Sequence, residues 1–226
     1  MLRTYKDGKA KLNAYLEDYA YVVEGLLALY EATFELEYFV EARELADTMI
    51  AKFWDASQGG FYFTSDDHEQ LIARTKDYFD NATPSGNSVA ALALLKLGLM
   101  TEDQDYTKFA AMILRTMRQA MSRYPSAFGY LLGALDFYLS EPKEIAVIGS
   151  LDSHEARVLV EEIYSRYIPN KVVAGAAEGD ERAADAIKFL AARPMVDGLT
   201  TVYVCRNYTC LAPATNADDL VRRLEE

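Results

Sequence analysis

The apolar positions of this 226-residue chain follow two different rhythms, and the change comes near Pro142. Before it the spacing is helical. Over Ala14 to Thr33, apolar side chains recur at Tyr15, Tyr19, Val22, Val23, Leu26, Leu27 and Tyr30, the three-and-four spacing of one helix face. Leu16 and Leu29 widen that stripe, which predicts a mostly buried helix. Glu17, Glu24 and Glu31 lie seven apart and are expected on its wet face. Glu37 to Asp55 reads as an amphipathic helix, with Phe39, Ala42, Leu45, Ala46, Met49, Ile50 and Phe53 on one side. Gly59 and Gly60 end it, and "FYFT" suggests a short strand or hairpin arm.

A third helix is expected to start in "DNATPSGNSVAALALL" (80–95), with Thr83 as cap and Pro84 in the first turn. A fourth, amphipathic helix runs from about Asp103 to Ser122. A fifth, apolar nearly all round, runs from about Ser126 to Leu139. Buried and one-sided helices alternate, as in a layered array of α/α hairpins. After Pro142, "EIAVIGS", "KVVAGA" and "TTVYVCR" read as strands. Helices are expected between them, over Ser153 to Tyr167 and Asp180 to Ala192, and again from Ala217. That order predicts a small βαβ sheet with right-handed crossovers, with Asp152 and Glu155 forming a capping box for its first helix. The reading is thus a mainly α chain: hairpins over 1–141, then a small α/β domain over 142–226.

Four stretches, taken in order, sharpen this: "LEDYAYVVEGLLALYEAT", "FWDASQGGFYFT", "DNATPSGNSVAALALLKL" and "YVCRNYTCLAP". They resemble the C-terminal part of the spermatogenesis-associated protein 20 family. That resemblance implies part of an (α/α)₆ toroid, similar to six-hairpin glycosidases and to the N-acylglucosamine 2-epimerase fold. Roughly two and a half of the six hairpins are represented, together with the segment that follows them. The family's thioredoxin-like domain, with its cysteine pair, has no counterpart here. A partial toroid exposes helix faces that a neighbouring hairpin would cover, so a homodimer is expected.

Inner-helix ends and their loops line the cavity of such toroids. The resemblance therefore groups six residues in one pocket: Asp18 and Asp80 as paired carboxylates for acid–base work on a sugar, and Tyr19, Asn81, Ser85 and Asn87 as ligand contacts. The local chemistry offers a plainer account, since Thr83, Pro84 and Ser85 are explained by capping and Asp18 favours a helix start. Tyr15, Tyr19, Tyr21, Trp54, Phe61 and Tyr62 are candidate sugar platforms, or simply filling between helices.

Charge narrows the partners. Lys plus Arg number 23 against 35 Asp plus Glu, a net −12, which repels nucleic acid and anionic membranes alike. No apolar run reaches the ~20 residues of a membrane span. The first residues, "MLRTYKDGKAKL", carry no signal core, so a cytoplasmic protein is expected and the Asn207 "NYT" pattern is incidental. Cys205 and Cys210 are a C-x₄-C pair, not the redox C-x-x-C. They are expected to be reduced and structural, with a disulfide as the alternative under oxidation. Together with His68 and His154 they match no zinc spacing. Gly149 to Ser153 lies between strand and helix without either glycine-rich nucleotide signature, and His154 is expected in solvent. No metal or cofactor is implied.

Two functions stay open. One is a carbohydrate-binding or carbohydrate-processing module, glycosidase- or sugar epimerase-like if it is an enzyme. The alternative is a structural or interaction module that dimerises or docks a thioredoxin-like domain. A third and weaker reading is a thiol-linked role for Cys205 and Cys210.

Overall fold

The computed structural model describes residues 1–68, 73–207 and 209–226. It opens with an exposed antiparallel hairpin, β1 (Leu2–Lys6) and β2 (Lys9–Asn13). Asp7 and Gly8 both take positive φ, 53° and 75°, the two-residue turn that an Asp-Gly pair favours. Four helices follow: α1 (Leu16–Thr33), α2 (Leu36–Phe53), α3 (Gly86–Thr101) and α4 (Gln104–Arg123). A 3₁₀ turn over Pro125–Ala127 leads into α5 (Gly129–Leu139). The second half is β3 (Lys143–Ile148), α6 (His154–Tyr164), β4 (Lys171–Ala176), α7 (Glu181–Ala186), a 3₁₀ turn over Lys188–Leu190, β5 (Thr201–Arg206), β6 (Thr209–Cys210) and α8 (Ala217–Glu225). The chain is mainly α with a small mixed sheet.

The central helix is α3, buried along most of its length and packed on α1, α4 and α5. The expected alternation of inner and outer helices reduces to this one inner helix. Helix α1 exposes Tyr21, Val22 and Leu29, and α5 exposes Tyr138 and Leu139. Apolar composition marked all three helices alike, but only α3 has neighbours on every side. Its cap is Ser85, whose Oγ accepts the Ser88 N–H at 3.1 Å, and not Thr83. Pro84 precedes the helix, and its carbonyl accepts the Tyr21 hydroxyl at 2.8 Å. Helix α6 is likewise capped by Ser153, which accepts from Ala156 N–H at 3.0 Å, where a box of Asp152 and Glu155 was expected. His154, the first residue of α6, is exposed.

The sheet order is β4-β3-β5-β6. Strands β3 and β4 are parallel, joined through α6 as expected, but β5 runs antiparallel to β3. Its direction follows from the connection. After the 3₁₀ turn only a short loop remains, and it stays at the end of the sheet where β3 finishes. Thr201 therefore pairs with Ile148, whereas a parallel return needs a full crossover to the other end.

One face of the sheet (Ala146, Ile148, Val172, Ala174) joins the helical core. The other face (Ile145, Val147, Val173, Val202, Val204) packs on α6 and α8. The two halves therefore share one continuous core. Gly175 in β4 lies flat against the Phe34 ring, where a Cβ would come within 2.7 Å. Its N–H donates to the Tyr30 hydroxyl, which is buried at the end of α1. The expected wet face of Glu17, Glu24 and Glu31 is turned partly inward by this docking. Glu31 pairs with Lys96 at 3.2 Å and accepts the Val173 N–H, while burial holds the Glu24 carboxyl above its usual range.

Candidate functional site

The starts of α1 and α3 lie side by side, as grouping their residues in one pocket requires. The space between them is apolar and tight. Leu16 is buried there, and a Cβ on Gly86 would come within 2.9 Å of Leu16 and 3.1 Å of the Glu17 nitrogen. Glycine at position 86 permits this approach of two helix backbones.

Each candidate side chain has a defined partner. Asp18 Oδ2 accepts the Tyr15 N–H at 2.9 Å and lies 3.4 Å from Arg3, so it closes the first turn of α1. Tyr19 is buried against Phe53, and its hydroxyl accepts from the amino group of Met1 at 2.8 Å. Asp80 is turned the other way, toward α5. Its Oδ2 accepts N–H bonds from Tyr130 at 2.8 Å and Leu131 at 3.2 Å, and its Oδ1 accepts from Ser85 N–H at 2.9 Å. A carboxylate at a helix start meets the unpaired donors and the positive end of the dipole. Asn81 is exposed, donating to the Phe79 carbonyl at 3.3 Å. Ser85 joins Asp80 through its backbone and Ser88 through its hydroxyl.

Asn87 has no solvent exposure. Its Oδ1 accepts the Phe61 N–H at 2.8 Å, and its Nδ2 donates to the carbonyls of Phe61 at 2.9 Å and Asp77 at 2.8 Å. It thereby fastens the segment after α2 to the segment before α3. The structure brings Asp80 and Ser85 together, and directs Asp18, Tyr19 and Asn87 to separate partners. Trp54, Phe61 and Phe109 form an edge-to-face stack, and Tyr15 stacks on Phe63 and His68. These rings fill space between elements.

A second polar cluster escaped the sequence reading. It lies in the loop after α2, where Trp54 and Phe61 pair in a single antiparallel bridge. Asp55 accepts from Lys76 at 2.7 Å, from the Tyr62 hydroxyl at 2.9 Å and from the Ser57 hydroxyl and N–H at 2.6 and 2.8 Å. Lys76 also donates to the Gly59 carbonyl. The signal was present in "WDAS", since an Asp two residues before a Ser is a turn former. The Lys76 ammonium, then the Ser57 hydroxyl, hold the Asp55 carboxyl far below the usual carboxylate range. A depressed carboxylate adds stability above its unfolded pKa of about 4, and that stability drains away as pH falls toward the folded value. Calorimetry is expected to show the wild-type Tm dropping below about pH 4, with Asp55→Asn losing less over the same interval. Parallel pH profiles for the two proteins would dismiss this role for Asp55.

The cysteines also differ from expectation. Cys205 and Cys210 face one another across β5 and β6 and are joined by a disulfide. Arg193 directs Nη2 at both sulfurs, 3.4 Å from Cys205 and 3.3 Å from Cys210. A four-residue spacer places both cysteines at opposed positions of a hairpin, which sequence spacing alone had not resolved. Among the described residues, no helix is long and apolar enough to cross a membrane.

No family model matches the chain. Individual relatives do. The chain is 37% identical over 214 residues to human spermatogenesis-associated protein 20 and 35% identical over 216 residues to the mouse protein of that name. These alignments cover 93% and 94% of this chain but only 27% of each relative. An uncharacterized protein of Caenorhabditis elegans is 23% identical over 95% of the chain and 29% of its own length. The chain therefore spans about a quarter of the length of the relatives it matches. Identity of this order along nearly the whole chain places it in the spermatogenesis-associated protein 20 family.

Proposed function

We propose that this chain is an interaction module whose α1–α2 face docks a second copy of itself. One observation carries the reading. An apolar groove of about 610 Å³ runs along that face, lined by Met1, Val22, Leu26, Tyr38 and Leu45, with Glu37 and Glu41 at its rim. Tyr21, Val22 and Leu29 are exposed on the same helix. Apolar ground ringed by acids is the usual make-up of a docking surface, and a two-fold axis would seal apolar centre on apolar centre with the acids in solvent. The polar residues grouped at the helix starts support it from the other side: Asp80 and Asn87 are occupied with backbone groups.

Light scattering at micromolar concentration is expected to return twice the 25.3 kDa chain mass. Leu26→Glu and Leu45→Glu are expected to return the single mass with helical circular dichroism unchanged. A monomeric wild type overturns the proposal. A rise in Tm with a monosaccharide, lost in Asn81→Ala, would instead favour the carbohydrate reading.

A further inference from the structure

We infer that Cys205–Cys210 is a thiol–disulfide exchange centre, with Arg193 as the residue that positions and stabilises the thiolate it releases. The bond holds the fold less than a long-range disulfide would. It closes a loop of only five residues' separation, and short loops remove little freedom from the unfolded chain. The strands around it are already hydrogen-bonded: Leu211 N–H donates to Val204, and Val202 and Ala214 exchange two bonds.

The surroundings suit reaction better than stapling. Cys210 is exposed, whereas Cys205 is 1% exposed, so a nucleophile has one accessible sulfur and a sheltered leaving group. On its other side the bond meets a cleft of about 180 Å³ through Cys205, not Cys210, with Val204, Arg206, Thr209, Leu211 and Glu226 as the remaining lining. Disulfide sulfurs are weak acceptors, yet one guanidinium nitrogen reaches both. Thiolates accept such a bond far better, and a fixed cation lowers thiol pKa. Arg193 is half-buried beside the Tyr203 ring, with its Nη1 donating to the Ala191 carbonyl. Burial draws the Arg193 guanidinium below its usual range, and the nearby Glu144, on the strand paired with β5, offsets part of this in favour of the charged form.

The reaction runs with a dithiol as reductant. One of its thiolates attacks Cys210 Sγ and forms a mixed disulfide. The Sγ–Sγ bond breaks, and its electron pair leaves on Cys205 Sγ as a thiolate facing Arg193. The second thiol of the reductant loses its proton and attacks its own partner sulfur, releasing Cys210. Two electrons pass to the protein, the reductant becomes a cyclic disulfide, and its two protons go to solvent or to the cysteines.

The test equilibrates the full chain with graded ratios of reduced and oxidised dithiothreitol and counts trapped thiols by mass. Reversible interconversion is expected, with far-ultraviolet circular dichroism unchanged. Arg193→Gln is expected to lower the equilibrium constant for reduction about tenfold and Arg193→Lys to restore part of it. In Cys205→Ser, oxidised glutathione is expected to cap Cys210. A bond reduced only on unfolding, an equilibrium unmoved by Arg193→Gln, or a Cys210 that resists glutathione in Cys205→Ser overturns the inference. Should Arg193→Gln not fold, the lysine variant and the glutathione reaction still decide it.

Discussion

Replacing Asn87 by alanine is expected to destabilise the protein by about 4 kcal/mol with no ligand present. Asn87 is fully buried, and its amide satisfies the Phe61 N–H, the Phe61 carbonyl and the Asp77 carbonyl. Alanine would leave all three short of a partner; the two buried Phe61 groups cost about 1–3 kcal/mol each, roughly 2–6 kcal/mol together, while the carbonyl of the exposed Asp77 can turn to water. Partial relaxation and entry of a water keep the sum toward the middle of that range. Asn87→Asp retains the acceptor for Phe61 N–H but turns an anionic oxygen on two carbonyls. That variant is expected to be least stable at neutral pH and to recover in acid. Protonation restores a donor, and a carboxyl whose folded pKa is raised is favoured as pH falls. Urea unfolding at several pH values measures both effects. Wild-type stability in Asn87→Ala would mean that the clamp contributes nothing and would free the residue for ligand binding.

Asp80→Ala is expected to cost about 3 kcal/mol and to loosen the start of α5. The lost bonds are charge-assisted, to Tyr130, Leu131 and Ser85 N–H. The site is only half-buried, so water replaces part of what is removed, and the cost falls below that at Asn87. Asp80→Asn keeps the shape without the charge and is expected to retain about half of the stability. Hydrogen exchange provides the specific readout: the Tyr130 and Leu131 amides should exchange faster in Asp80→Ala, ahead of global unfolding. Unchanged protection there would remove the capping role and restore Asp80 as a candidate acid or base.

These two residues show how far the candidate site could be read in advance. The motif "DNATPSGN" does mark polar residues with roles beyond one cap, and the structure finds work for most of them. What it could not supply was direction. Asp80 acts on residues fifty positions later, and Asn87 on one twenty-six earlier, distances at which sequence spacing carries no geometry. The cluster at Asp55 has a local half, the turn to Ser57, and a remote half, Lys76. Only the local half was open to sequence reasoning.

Chain order alone determined the long helices, the three main strands of the second half and the family, because periodicity and motif are properties of neighbouring residues. The tertiary structure decided which helix is central, that β5 runs against β3, that Glu31 faces a strand and not water, and that Cys205 meets Cys210 under Arg193. Each of these depends on which surfaces come together, and burial and hydrogen-bond satisfaction are settled only when distant segments pack.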